Sequence, residues 1–274
     1  MLRLVENVHR IFSVYGARDG FSIAADYLRI VARNRLAHGN KGEERIASYR
    51  VSFPHRAQFF GMASEIFFRR LYREPNKRPL TIIDAGANIG LSTLYFKWRC
   101  PEATVLCFEP NPEVVPFLKE NIARNNLSRV TVFPFALGKA TGDAVLFTDA
   151  SMAGSSSATT VTPLRSDESR QTSWKIPVRR LSGFIDTPID LLKLDVEGAE
   201  GEVLEDLEQA GKLPLIRAMA VEYHLYDRRK EYPMGAFLSI LDRNGLRYRC
   251  QPLFTDLARD PRKGVRTYMV YAER

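Results

Sequence analysis

From Leu80 onward short apolar runs alternate with amphipathic ones, and no other property of the chain restricts its fold so tightly. Residues 81–84 read as a β-branched strand with 91–98 as its helix, 104–108 as a second strand with 113–125 as its helix, and 130–135 as a third strand. Apolar strands separated by helices predict a parallel sheet covered on both faces. Residues 138–175 interrupt the rhythm with a stretch too long and too polar for a simple strand-to-helix connection. This stretch is read as an insertion, with a hairpin pairing 144–148 to 175–178 and a loop around the Gly-Ser-Ser-Ser run at 154–157. The rhythm then resumes with strand 189–195, helix 200–208, strand 216–223 and a helix over 235–244 stopped by Gly245. Residues 246–250 and 267–272 alternate across a charged turn, so an antiparallel pair closes the sheet.

Ahead of this region Leu4, Val8, Ile11, Phe12 and Tyr15 fall at helical spacing, and after a glycine break at 16–20 so do Ala24, Tyr27, Leu28 and Val31. Two amphipathic helices packed on the chain's own core are expected. Residues 38–44 form a polar connector, 46–53 alternate as an edge strand, and 59–72 carry the broad apolar face of a helix leading into the core. The organisation is a helical extension, 1–45, and one catalytic domain, 46–274. The formal net charge of +8 lies wholly at the front, because residues 1–80 hold 15 Lys/Arg against 7 Asp/Glu. A solvated helix face accounts for this excess, and an anionic partner, whether a membrane surface touched peripherally by the basic helices, a glycolipid or a nucleic acid, is what it would otherwise suit. No apolar run of about 18 residues is present, and Glu6, His9 and Arg10 break the N-terminal hydrophobics, so a cytoplasmic location is expected. Cys100, Cys107 and Cys250 are odd in number and lack C-x-x-C spacing, which points to neither a disulfide framework nor a zinc knuckle.

In open parallel sheets ligands bind beyond the carboxyl ends of the strands. The first strand there offers Asp84, Gly86, Asn88 and Gly90, and the second offers Glu109, placed nineteen residues after Gly90 to accept both hydroxyls of a ribose. A dinucleotide fingerprint has a third glycine and a helix N-terminus left open for a pyrophosphate. This turn instead reads D-x-G-x-x-x-G, and an acid at its head repels a diphosphate but suits a cationic amine or sulfonium. S-adenosylmethionine is the nucleoside that fits. The fourth strand, D-L-L-K-L-D-V-E-G-A-E, surrounds an apolar run with Lys193, Asp195, Glu197 and Glu200, and a lysine in such a strand requires a partner. The fifth ends in V-E-Y-H, so Glu222 and His224 share one face, and a neighbouring strand about 4.8 Å away brings Asp195 within reach of His224. A histidine at such a strand end beside a carboxylate is a candidate general base.

D-A-G-A-N-I-G, F-E-P-N-P followed by N-I-A-R-N-N-L, F-A-L-G, K-L-D-V-E-G-A-E and V-E-Y-H, in this order, resemble the FkbM family of S-adenosylmethionine-dependent methyltransferases. The resemblance implies a class I (Rossmann-like) α/β fold: a seven-stranded, mostly parallel sheet with its last strand antiparallel. It further implies methyl transfer to a hydroxyl of a small molecule, sugar, polyketide or glycolipid. On this reading His224 is the base, Asp195 orients it or shares the role, and Lys193 and Glu197 stand beside them. Asp84, Gly86, Asn88 and Gly90 line the methionine end, Glu109 the ribose, and Ala136 of F-A-L-G the cofactor side. One departure is R-L-S-G-F at 180–184, where the family often has a T-L-D-D-like segment. Asp195, Glu197 and Glu222 form an alternative set for Mg²⁺, which is not favoured because nothing fixes their geometry. A nucleic-acid acceptor is disfavoured because no N/D-P-P-Y/F motif follows the fourth strand.

Overall fold

The computed structural model describes residues 2–36, 41–73, 80–149, 171–226, 233–253 and 265–274. Helix α1 (Leu2–Leu36) covers both expected N-terminal helices, and only Gly16 leaves helical geometry (φ 71°, ψ −173°). The predicted break is therefore a one-residue kink. Gly20 stays helical and lies against Phe12, whose Cδ1 sits 2.8 Å from where a Cβ would fall. Ile11, Ile23, Ala24, Tyr27 and Ile30 bury one face of α1 in the main core. The Tyr15 hydroxyl donates to the Phe67 carbonyl at 2.6 Å.

Strands β1 (Gly42–Ile46) and β2 (Tyr49–Phe53) form a separate hairpin, which corrects the single edge strand expected over 46–53. Ile46 pairs with Tyr49 across Ala47 and Ser48, both at positive φ (47° and 76°). The run 46–53 is thus the end of β1, a tight two-residue turn and β2, and the remainder of β1 occupies the last part of the stretch expected as a polar connector, 38–44. Glu44 is buried and gathers Arg29 at 2.6 Å, Arg33 at 3.1 Å and Arg56 at 3.4 Å. Part of the N-terminal basic excess is therefore used internally. Helix α2 (Arg56–Ala63) continues into a π-helical turn, Ser64–Phe68, in place of the single helix expected over 59–72.

The remainder follows the predicted alternation: β3 (Thr81–Ala85), α3 (Leu91–Arg99), β4 (Thr104–Phe108), α4 (Val115–Arg124) and β5 (Val130–Phe133). Next come β6 (Ala136–Leu137), β7 (Gly142–Asp149) and β8 (Gln171–Arg179), then β9 (Leu191–Leu194), α5 (Glu200–Gln209) and β10 (Ala218–Tyr226). Helix α6 (Met234–Arg243), β11 (Arg247–Pro252) and β12 (Val265–Glu273) complete the chain. The central sheet has seven strands in the order β11-β12-β10-β9-β3-β4-β5, with only β12 antiparallel to its neighbours. This is the class I, Rossmann-like arrangement that the family resemblance implies.

Strand alternation divides the core in two. Ile82, Val105, Leu191 and Ala220 face the side covered by α1, α2 and α3, whereas Ile83, Leu192, Leu194 and Val221 face α5 and α6. The inserted segment pairs Ala144 with Ile176 and Thr148 with Thr172, and adds β6 to give a three-stranded sheet in the order β6-β8-β7. The loop at 154–157 lies outside the described residues. Among the described residues no helix is long and apolar enough to cross a membrane.

Candidate active site

Strand order reverses at β3, which has β4 on one side and β9 on the other. A crevice opens beyond the carboxyl ends of such strands. Here it is lined by the turn after β3, the ends of β4, β9 and β10, and the π-helical turn.

The turn is built around Asp84, which is fully buried and does not face the crevice. Its Oδ2 accepts from Ser92 Oγ and Thr93 Oγ1, both at 2.6 Å, and its Oδ1 lies 3.5 Å from Lys193 Nζ. This corrects the expectation that Asp84 lines the methionine end, since its charge is spent fastening β3 to the start of α3. Gly86 (φ 80°) lines the crevice, and a Cβ there would fall 1.7 Å from the Asp195 carbonyl oxygen. The amides of Gly86 and Ala87 both donate to the Phe108 carbonyl, at 2.8 and 3.0 Å, which locks the turn to β4. Gly90 (φ 91°) backs the turn against Leu118 and is not part of the crevice wall. Asn121, buried on α4, donates to the Ile89 carbonyl at 2.8 Å and also pairs with Ser52, which ties the turn to the hairpin.

Glu109 lies where the spacing placed it. Its Oε2 accepts the Asn88 amide at 2.8 Å and its Oε1 accepts the Asn111 amide at 2.9 Å. Each oxygen retains a lone pair for a further donor. Burial pushes its pKa up to about 7, against the lowering effect of those two amides. Asn88 and Ala136 line the crevice beside it, together with Phe108 and Phe135.

Lys193 is buried and serves two strands at once. Its Nζ donates to the Gly86 carbonyl at 2.6 Å and the Ala85 carbonyl at 3.2 Å, and lies 3.4 Å from Asp195 Oδ2. Burial alone would lower its pKa, but Asp195 and Asp84 outweigh it and the net shift is upward. The Tyr72 hydroxyl, also buried, sits between Asp195 Oδ2 at 3.3 Å and Glu222 Oε2 at 3.2 Å. Burial, then Asp195, hold the Glu222 carboxyl well above its usual range.

Leu194 pairs with Val221, so Asp195 and Glu222 stand level and His224 lies one step further out. The imidazole is oriented by Glu200, whose Oε1 is 3.0 Å from Nδ1 and also accepts the Val196 and Gly198 amides. Glu200, and not Asp195, therefore orients the ring, which corrects the first of the two roles expected of Asp195 and leaves a share in the base role untouched. Because a carboxylate accepts there, Nδ1 carries the proton and the opposite nitrogen is the basic one in the neutral ring. That Nε2 lies 3.5 Å from Glu197 and 3.8 Å from Glu222, both of which line the crevice, whereas His224 itself is buried behind them and is not part of the crevice wall. Burial lowers the His224 pKa, yet Glu197 and Glu200 prevail and raise it well above the usual histidine value.

Two contributors, Tyr72 and Glu65, are not distinguished by the sequence, and a third, Glu200, is named there without a role. Tyr72 and Glu65 precede the first core strand, and nothing local separates them from residues of an ordinary amphipathic helix. Glu200 stands within the K-L-D-V-E-G-A-E element, so its proximity to His224 followed from the strand pairing already inferred. The divergent R-L-S-G-F segment forms a short 3-10 turn, with Arg180 and Ser182 bound to buried Asp206. Its Phe184 packs on Phe108, Phe133 and Phe135, with ring centroids 5.0–5.5 Å apart. As for metal-ligating groups, atoms of Asp195, Glu197 and His224 lie within 4.8 Å of one another, so the histidine replaces Glu222 in the set inferred from sequence.

Comparison with known proteins places this geometry in context. A family profile described as "Methyltransferase FkbM domain" matches residues 84–249. Methyltransferase sdnD of Sordaria araneosa is 32% identical over 212 residues, which cover 65% of this chain and 79% of that protein. Methyltransferase 1 of Beauveria bassiana is 33% identical over 162 residues, 53% of this chain, and the match spans 65% of that protein's length. Among solved structures, the methyltransferase FkbM of Methylobacillus flagellatus superposes with a TM-score of 0.47 at 20% identity, over 76% of this chain and 47% of that one. M. jannaschii TYW2, solved in complex with AdoMet, gives the same TM-score at 14% identity, over 87% and 88%.

Proposed function

The chain belongs to the FkbM methyltransferase family, and we propose that it transfers a methyl group from S-adenosylmethionine to a hydroxyl oxygen of a small-molecule, sugar or glycolipid acceptor. The observation that carries this reading is His224, its tautomer fixed by Glu200 and its Nε2 turned toward the strand-end carboxylates beside the glycine turn. The donor supplies an electrophilic methyl on a sulfonium centre and leaves as a neutral thioether.

The residues present fit that donor. Glu109 keeps a lone pair on each oxygen for two ribose hydroxyls, and Gly86, Ala87 and Asn88 line the crevice beside it. Phe108 and Phe135 form an apolar wall next to Glu109 for a heteroaromatic ring. An alcohol is scarcely ionised near neutrality, so the chain must align the acceptor oxygen and remove its proton. Nε2 of His224 accepts that proton in this reading. The resulting imidazolium is balanced by Glu197 and Glu200, with Asp195 beside them.

Incubation with S-adenosylmethionine labelled in its methyl group and an extract of the source cells tests the reaction. The expected product keeps its label through mild alkali, as an ether does. Release of labelled methanol would identify a carboxyl ester and overturn the hydroxyl assignment. In the same assay His224→Gln should lose about a hundredfold or more in turnover, in the range of a missing general base.

A further inference from the structure

A methyl donor of this kind carries an α-ammonium at its methionine end. The turn's own acid is not available to it, because Asp84 is buried beneath the turn and engaged by Ser92, Thr93 and Lys193. The crevice carboxylates are otherwise occupied. Asp195 meets Lys193 and Tyr72, Glu222 meets Tyr72, Glu197 faces His224, and the remaining lone pairs of Glu109 are assigned above to the ribose hydroxyls. Glu65 differs: it lines the same crevice and accepts no side-chain hydrogen bond among the described residues.

The local fold explains its position. Ser64–Phe68 forms a π-helical turn in which the Arg69 amide reaches back to the Ser64 carbonyl at 2.9 Å. The Leu71 amide bonds the Glu65 carbonyl, also at 2.9 Å. Ile66, Phe67 and Phe68 are buried, which fixes the register and leaves Glu65 on the crevice side. Widened turns of this type recur where a helix re-aims a functional side chain. Burial and the neighbouring Asp195 raise the Glu65 pKa, against the lowering effect of Arg69, and an incoming cation would offset the repulsion from Asp195.

We propose that Glu65 receives the α-ammonium of the methyl donor, supplying at the methionine end the counter-charge that Asp84 does not. The inference rests on the donor assigned above and adds the contact that would distinguish its amino-acid end. A hydrogen bond between charged groups shielded in part from water contributes about tenfold to a hundredfold in affinity.

Calorimetry on the full chain decides it with two ligands: S-adenosylhomocysteine, which has the ammonium, and 5′-methylthioadenosine, which lacks the whole amino-acid end. Glu65→Gln should weaken S-adenosylhomocysteine by about ten- to a hundredfold and leave methylthioadenosine within about twofold. Glu65→Asp, which keeps the charge on a shorter arm, should fall between and guards against a glutamine variant that fails to fold. Unchanged S-adenosylhomocysteine affinity in Glu65→Gln would overturn the proposal, including the case in which transfer to the acceptor is lost, since Glu65 would then serve the acceptor. Equal losses for both ligands would also overturn it. A folded wild-type chain that binds neither ligand removes the donor assignment itself, and this proposal with it.

Discussion

Lys193 Nζ and the Gly86 carbonyl oxygen lie 2.6 Å apart, so a strand lysine from β9 directly props the glycine turn that follows β3. The same ammonium stands 3.5 Å from Asp84 and 3.4 Å from Asp195. One buried cation thus joins the glycine turn after β3 to the strand-end carboxylate of Asp195. Lys193→Met would leave Asp84 as a fully buried charge with no cation. Breaking a buried pair in this way costs about 3–5 kcal/mol. Urea denaturation should show a loss of that order, and S-adenosylhomocysteine affinity should fall in the fraction that remains folded.

Gly86→Ala tests the closeness of the turn to β9. A Cβ at 1.7 Å from the Asp195 carbonyl oxygen, on a residue at φ 80°, forces the two backbones apart. Overpacking of this kind destabilises by roughly 3 kcal/mol. Thermal unfolding should show it. Gly61→Ala is the control, because a Cβ there meets nothing within 4 Å.

The proposed ribose contact of Glu109 predicts that donor binding is coupled to protons. Its folded pKa of about 7 exceeds the ordinary carboxylate value, so between those values the free protein holds more protons than the unfolded chain. Its contribution to stability therefore declines as pH rises through that window toward 7. Ribose hydroxyls donate to the ionised form and should drive the proton off. Calorimetric titration with S-adenosylhomocysteine near pH 6.5, in buffers of different ionisation enthalpy, is expected to show net proton release. Glu109→Gln should abolish the release and weaken binding.

The His224–Glu200 pair predicts the pH profile of turnover. A base must be unprotonated, and the raised His224 pKa places the ascending limb above the usual histidine range. Glu200→Gln removes one of the carboxylates holding the ring's proton, so the limb should move to lower pH. A limb that does not move would separate Glu200 from the proton-accepting group. Loss of ring orientation should also lower maximal turnover in this variant.

Asp195, Glu197 and His224 have the donor types for a divalent cation, yet their atoms are already engaged with Lys193, Tyr72 and one another. Turnover measured after exhaustive EDTA treatment should match that of untreated enzyme. A collapse reversed by Mn²⁺ or Mg²⁺ would instead make His224 a ligand and transfer the base role elsewhere.

The strand-and-helix order, the place of the glycine turn and the polar ends of β9 and β10 were legible in the sequence, because each depends on periodicity within a short window. Glu109 followed from spacing alone, as did the level of Asp195 and Glu222 once the two strands were paired. Other features were decided only by tertiary structure. Asp84 turns inward because Ser92, Thr93 and Lys193 converge on it, and the chain pattern around it reads the same whichever way it points. Tyr72 meets Asp195 across 123 residues, and Glu65 reaches the crevice through a π-turn that helical periodicity does not reveal. The polar connector expected over 38–44 hides most of β1, and the strand expected over 46–53 joins the end of β1 to β2 because alternation continues through a two-residue reversal. Local pattern records which residues share an element and a face. Side-chain direction at a junction depends on what the other elements bring there, and that is settled only when the sheet and its helices pack.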